Sequence, residues 1–546
     1  MSIELIPHPV SLTEKDGAPF LVDDDTVIVA PGLAQAAAWL LHDLLRAGTG
    51  LRLPVMTEPA GTGAIEFTLS DDEPAPWTTA AEAYRLDVSA ERVHIGAATP
   101  AGLIQAVHTL RQLLPAETLR AAAVARPPLP IPAVLITDEP RFAWRGLMLD
   151  VARHFMPKES VLRFIDLVAL HHLNVLHLHL TDDQGWRLPV PNWPKLTEIS
   201  NWRTETVIGH AMADTGYDGT PHGGHYTHDD LREIVAYAAA RGVTVVPEID
   251  LPGHVRSVLA AYPELGNTGE RKPVATTFGI FSEVLAPTEE ALRFCRDVFD
   301  TVVDIFPADF VHIGGDECPR TEWLESPVAR ARADELGLSG PELLQSWFTR
   351  RFAEHLSGYG RTIIGWDEIL DGGAPSDAVV MVWRDFGIAE KAIQKGHRVI
   401  VAPVQAAYLD YYPSDSEEEP LHIANRITLD DIAAFEPVPE GTDDAAVLGV
   451  QAQLWTEYIP DARRAEYNLF PRLVASAELA WSTGRVRREH PVTDRMPTHL
   501  KRLDAIGVNY RPLEGPHPWQ RGGTGSRARV DTAKLQGRKV TDLPGL

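Results

Sequence analysis

Eight apolar, β-rich runs recur through the middle of the chain, and nearly every one ends in a polar or aromatic cluster. Residues 145–150 lead to Arg153 and His154, 174–180 to Asp182, Asp183 and Trp186, and 243–249 to Asp250 and His254. Residues 310–313 lead to Asp316 and Glu317, 362–365 to Trp366, Asp367 and Glu368, and 378–382 to Trp383 and Arg384. The last two, 398–402 and 447–450, lead to Tyr408 and Asp410 and to Gln451, Trp455 and Glu457. Helical patterns lie between most of them. Residues 158–171 place Val161, Leu162, Ile165 and Val168 at helical spacing, and 229–241 start after Thr227 and stop at Gly242. Residues 288–306 and 341–359 complete the set. Eight β-then-α units over about 340 residues predict an α/β fold, a (β/α)8 TIM barrel with its active site at the C-terminal strand ends.

The segment 310–319, Phe-Val-His-Ile-Gly-Gly-Asp-Glu-Cys-Pro, carries the sharpest chemical signal. A short buried strand stops at two glycines and delivers adjacent carboxylates. Paired acids are the equipment of glycoside hydrolysis, one giving a proton and the other stabilising positive charge. Helix capping is the bland alternative for one such pair. It does not account for acids, histidines and tryptophans recurring at strand after strand.

Bulk properties bound the partners. With 50 Lys and Arg against 76 Asp and Glu, the formal charge is −26. That acidity opposes non-specific nucleic-acid or anionic-membrane binding. No apolar run reaches the ~20 residues of a membrane helix. The N-terminus lacks a signal-peptide pattern and the two cysteines, Cys295 and Cys318, read as free thiols, so a cytoplasmic location is expected.

Residues 1–135 read as a separate non-catalytic α/β domain, with strands at 26–29, 64–69, 84–88 and 93–96 and a helix at 100–114. The Pro-rich run 126–132 is the expected linker. Residues 136–512 hold the barrel and 513–546 a polar, poorly packed tail. Residues 192–226 are expected to form an active-site loop, and 414–420 an acidic solvated one. Trp39, Trp144 and Trp481 are expected to be packing, and one of His177 and His179 a satisfied interior histidine.

Six ordered segments together resemble family 20 glycoside hydrolases, the β-N-acetylhexosaminidases. They are Arg-Gly-Leu-Met-Leu-Asp-Val-Ala-Arg-His-Phe (145–155), Leu-His-Leu-His-Leu-Thr-Asp-Asp-Gln-Gly-Trp (176–186), Pro-Glu-Ile-Asp-Leu-Pro-Gly-His (247–254), His-Ile-Gly-Gly-Asp-Glu (312–317), Gly-Trp-Asp-Glu (365–368) and Leu-Trp-Thr-Glu (454–457). The preceding α/β domain also looks like the family's. The resemblance implies exo-acting, retaining, substrate-assisted hydrolysis of terminal N-acetyl-β-D-hexosamine from a small oligosaccharide or glycoside, without cofactor or metal. It implies Glu317 as general acid and base, Asp316 as the residue orienting the 2-acetamido group, and Tyr408 as a hydrogen-bond donor to it. Trp366, Trp383 and Trp455 would box the sugar. Arg153, Asp410 and Glu457 would bind its hydroxyls, and Asp182 and His254 would line the pocket or support the acid pair. Asp250 and His179 would support the acids. One departure is Gln451, where many relatives carry an acid.

Three other readings stand beside this one. A disaccharide-releasing enzyme of the same family, akin to a lacto-N-biosidase, needs a more open pocket. A metal-dependent barrel hydrolase would start from His177 and His179. A non-catalytic sugar-binding protein is the third. The sequence sets neither the choice between glucosamine and galactosamine nor the oligomeric state.

Overall fold

The computed structural model describes residues 3–58, 61–70, 74–75, 77–213 and 215–522. Eight parallel strands close into a barrel: β1 (Trp144–Asp150), β2 (Val175–His179), β3 (Thr244–Glu248), β4 (Phe310–His312), β5 (Thr362–Trp366), β6 (Val379–Val382), β7 (Val399–Val401) and β8 (Val447–Leu454). Closure comes from β8 pairing with β1, Leu454 opposite Leu149. All eight runs read from the sequence are strands of this barrel, because β-branched and apolar residues suit strands buried on both faces. Helices Lys158–Leu170, His228–Ala239, Glu289–Ile305 and Leu344–Ser357 pack outside. The second begins in a capping box between Thr227 and Asp230.

The barrel interior is not wholly apolar. In register across β1, β2, β3 and β4 lie Asp150, His179, Glu248 and His312, all buried. This polar layer sits directly under the strand ends that carry Asp316 and Glu317.

Ahead of the barrel stands a seven-stranded sheet, with helices Gln35–Thr49 and Pro100–Leu113. The expected strands and the hairpin joining Tyr84–Val88 to Arg92–Ala97 are present. The Pro-rich run is not a free linker: Leu129–Ile131 pairs antiparallel with Phe20–Val22, and Val134–Asp138 lies in the sheet. Leu129 and Ile131 are buried, so alternation of apolar and proline residues made a strand where composition suggested a spacer. Trp144 and Trp481 are buried as expected, but Trp39 is 49% exposed on its helix.

Sheet and barrel are joined by buried polar contacts. Arg145 Nη2 lies 2.7 Å from Glu82 Oε1, while its Nε and Nη1 donate to the carbonyls of His172 and Phe142. Asn174 and Gln105 also donate to Glu82. Replacing Arg145 with Ala strands the Glu82 carboxylate without its charged partner, and should destabilise the chain by about 3–5 kcal/mol. A fall in the urea midpoint at unchanged secondary structure is the expected result.

Candidate active site

The end of β4 sets the geometry. Gly314 and Gly315 have φ of +66° and +93°, a left-handed pair that turns the chain sharply after Ile313. A Cβ on Gly314 would lie 1.9 Å from Asp250 Oδ1. That oxygen accepts the Gly315 N–H at 3.0 Å, and Gln345 Nε2 donates to the Gly315 carbonyl at 2.6 Å. Burial first, then the charge of Asp316, hold Asp250 well above the usual carboxylate range. Asp250 thus braces the turn through its hydrogen bond to the Gly315 N–H.

The turn delivers Asp316, 7% exposed, and Glu317, whose own φ is +44°. Asp316 Oδ1 is buried with no protein partner. Burial pushes its carboxyl up to about 6, with His254 opposing and Glu317 adding to the rise. His254 faces both acids, its Nε2 lying 3.6 Å from Glu317 Oε2 and 3.9 Å from Asp316 Oδ2. On its other side Nδ1 reaches Asp183 Oδ2 at 3.0 Å and Asp182 Oδ1 at 3.3 Å. Burial opposes its charge, but the two carboxylates outweigh it and hold His254 well above the ordinary histidine range.

Asp182 has no exposed surface. Besides His254 it binds Arg153 Nη2 at 2.8 Å and His179 Nε2 at 3.0 Å. Both oxygens of its carboxylate are engaged by protein donors, so what Asp182 does in this structure is hold Arg153 and His254. Arg153 also meets Asp150 at 3.3 Å and lies over the Trp455 ring, 4.7 Å from its centroid.

The three expected tryptophans and Tyr408 converge. Trp366 and Trp455 pack at 5.8 Å, and Trp383 stacks on Tyr408 at 6.3 Å. Trp366 Nε1 donates to Glu248 Oε1 at 2.8 Å and Trp383 Nε1 to Glu368 Oε2 at 2.9 Å. Asp367 accepts the Trp383 N–H and binds Arg384. Asp410 is 4% exposed and neither of its oxygens makes an aligned hydrogen bond to protein. Burial, then Glu457, raise it well above the usual range, and burial pushes Glu457 up to about 7 against the pull of Arg153.

Beside Arg153 and Glu457 their chain neighbours build a wall. His154 packs on His222 at 4.9 Å and on Phe278 at 5.9 Å; Phe278 meets Tyr458 at 5.6 Å, and Tyr458 stacks on His210 at 5.2 Å. Two of these rings come from the 192–226 insertion, which is pinned by Arg203 to the Arg153 carbonyl at 2.6 Å. The 414–420 loop is only partly solvated: Glu419 is fully buried on Arg511 at 2.7 Å and Tyr467 at 2.5 Å. Of the expected tail, 513–522 includes the turn Pro518–Gln520, tied by Gln520 to Asn509 and Tyr510. Residues 523–546 lie outside the described residues.

His177 and His179 are both interior and both pair with Glu248, at 2.9 and 2.6 Å. Four buried His, Asp and Glu groupings bring their ligand atoms within 4.8 Å. In the ones holding His179 and His254 these atoms already face each other as proton donor and acceptor, so the donor set suits a charge-paired network better than a cation. Sequence reasoning gave no role to Glu248, Asp150, Asp183 or Glu368. Each stood in a quoted segment, and only the fold shows what it holds. Gln451 lies below the pocket, between Trp144 Nε1 at 3.1 Å and His177 Nδ1 at 3.0 Å.

A barrel with adjacent acids at the end of β4, ringed by an aromatic box, is an architecture suited to hydrolysing a glycosidic bond in a sugar pocket. Residues 142–484 match the glycosyl hydrolase family 20 catalytic domain and residues 2–139 that family's domain 2. The chain is 38% identical over 544 residues to a β-hexosaminidase of Porphyromonas gingivalis, covering 98% of this chain and 67% of that one. It is 36% identical over 519 residues to a β-N-acetylhexosaminidase of Cellulomonas fimi, covering 93% and 96%. The solved β-N-acetylhexosaminidase of Streptomyces coelicolor superposes with a TM-score of 0.80 at 33% identity, covering 94% of this chain and 99% of that one. The chain belongs to glycosyl hydrolase family 20 and is a glycoside hydrolase. Among the described residues, no helix is long and apolar enough to cross a membrane.

Gly314→Ala should cost about 2 kcal/mol or more and remove most activity, because a Cβ there meets both a left-handed φ and the Asp250 brace. Thermal unfolding and initial rates check both effects, with Gly63→Ala, a positive-φ site open to solvent, as the strain-only control.

Proposed function

We propose that the chain is an exo-acting, retaining β-N-acetylhexosaminidase. It removes terminal non-reducing N-acetyl-β-D-glucosamine or N-acetyl-β-D-galactosamine, with the substrate's own acetamido oxygen as nucleophile. One observation carries the reading: Asp316 Oδ1 is a buried acceptor without a protein donor, close enough to Tyr408 and Glu368 to act on their ionisation. An amide N–H satisfies such an oxygen, and the box of Trp366, Trp383 and Trp455 suits the acetamido methyl and the apolar face of the ring. A mutant β-hexosaminidase of Streptomyces plicatus, solved in complex with the product N-acetylglucosamine, superposes on this chain with a TM-score of 0.80 at 33% identity.

Each step then has a residue. Asp316 accepts the acetamido N–H and turns the carbonyl oxygen toward the anomeric carbon, with Tyr408 donating to that oxygen. The oxygen bonds to the anomeric carbon as the glycosidic bond breaks, and the Glu317 proton passes to the leaving oxygen. Asp316 offsets the positive charge of the oxazolinium ring. Glu317 then takes a proton from water, which adds to the anomeric carbon and reopens the ring with net retention. Arg153, Asp410 and Glu457 bind ring hydroxyls; the Asp410 carboxyl has backbone N–H groups of Asp410 and Trp455 beside it but no side-chain donor in good geometry, which leaves it free to accept from hydroxyls.

Glu317→Gln should lower kcat by about 10²–10⁴ on alkyl glycosides and much less on nitrophenyl ones, whose leaving oxygen needs little protonation. Asp316→Asn should depress both alike. Equal losses from Glu317→Gln on both substrates would remove its role as acid.

The raised Asp316 carboxyl gives a pH signature. It is ionised above about pH 6 and protonated below, so kcat/KM should fall as pH drops through 6, and this limb should vanish in Asp316→Asn. A wild-type profile flat down to pH 4 would contradict the assignment.

A further inference from the structure

Glu248 touches neither acid of the pair, has no exposed surface, and is held from four directions. Oε1 accepts from Trp366 Nε1 at 2.8 Å and meets His312 Nδ1 at 3.0 Å. Oε2 meets His177 Nε2 at 2.9 Å and His179 Nδ1 at 2.6 Å. These side chains come from β2, β4 and β5, Trp366 and His179 hydrogen-bonded to the carboxylate and His177 and His312 in close ion-pair contact, so one carboxylate on β3 ties four strands at the level of the pocket floor. His179 carries the connection onward. Its other nitrogen is 3.0 Å from Asp182, the carboxylate that grips Arg153 and His254.

We propose that Glu248 is a positioning residue for the hydrolysis: one oxygen fixes the Trp366 floor, and the other, through the His179–Asp182 line, fixes Arg153 and His254 against the substrate and the acid pair. The proposal rests on the function assigned above to that pocket.

A histidine between two carboxylates keeps its proton only while both are charged. Around His179 the acidic groups are Glu248 and Asp250 on or just after β3, Asp182 on its own segment, Asp150 at the end of β1 and Asp316 after β4; His177 and His312 oppose, and the Trp455 ring covers one face at 5.0 Å. Burial alone would discharge it, and Glu248 followed by Asp182 outweighs burial, holding His179 well above the ordinary histidine range.

The test is Glu248→Gln, which keeps the shape and an acceptor for Trp366 but removes the charge. Without it His179 should lose its proton at lower pH, and Asp182 should slacken its hold on Arg153 and His254 as that proton leaves. At pH 7 the variant should lose about tenfold to a hundredfold in kcat/KM. The high-pH limb of its profile should move at least one unit toward acid, recovering part of the loss at pH 5. A structural role alone lowers the whole profile without moving the limb. If the variant profile is a scaled copy of the wild-type one, the proposal is overturned.

His179→Gln is the second variant, and serves if Glu248→Gln does not fold. With nothing left to titrate at that position, the loss should be the same at every pH, and adding Glu248→Gln should move no limb. A limb that shifts in the double variant as in Glu248→Gln alone would also overturn the proposal. Failure of the function assigned above is separable from these outcomes, since it would show as wild-type inactivity on N-acetylhexosaminides.

Discussion

The pocket depends on the burial of Asp182 between three cations. A carboxylate without exposed surface is tolerable only when its charge is met from several sides. Here Arg153, His179 and His254 meet it, at 2.8, 3.0 and 3.3 Å. Each of the three then has a second duty. Arg153 lies on Trp455 and beside Glu457, His254 faces Asp316 and Glu317, and His179 returns to Glu248 under the floor. Charge alternates from Glu248 through His179 and Asp182 to His254 and the acids. The sugar-binding side and the acid side therefore share one electrostatic joint, and displacing Asp182 would disturb both.

A second constraint is steric. The β4 turn brings Asp316 and Glu317 to the mouth because Gly314 and Gly315 take left-handed backbone and because Gly314 lets the Asp250 carboxyl occupy the space of a side chain. Burial and the charge of Asp316 raise the Asp250 carboxyl, and its observed contribution is as hydrogen-bond acceptor for the Gly315 N–H. Two acids in the same few ångströms thus have divided tasks: one braces the backbone and one is left bare for a ligand.

The barrel was legible in the sequence because strands buried on both faces are written largely in β-branched and apolar residues, as 379–382 and 399–401 are, and helix starts such as Thr227 carry their caps. Convergence of Asp316, Tyr408 and the three tryptophans was legible only through their common place at strand ends. What could not be read was direction. Asp182 looks in sequence like a pocket acid, yet the chain bends it inward to Arg153. Glu248 reads as part of an apolar run, yet four side chains from three other strands close on it. Glu419 sits in an acidic stretch that composition marks as solvated, but Arg511 and Tyr467, far along the chain, bury it. The 126–132 run reads as a spacer because proline dominates its composition, while its strand partner lies about a hundred residues earlier.

The central claim is that the nucleophile belongs to the substrate. The most direct measurement compares kcat/KM on 4-nitrophenyl N-acetyl-β-D-glucosaminide with that on 4-nitrophenyl β-D-glucoside, which differs only at the 2-position. Rapid hydrolysis of the first and almost none of the second is the predicted result. Comparable rates on both would mean that a protein group attacks the anomeric carbon, and the assignment of Asp316 and Glu317 would have to be given up.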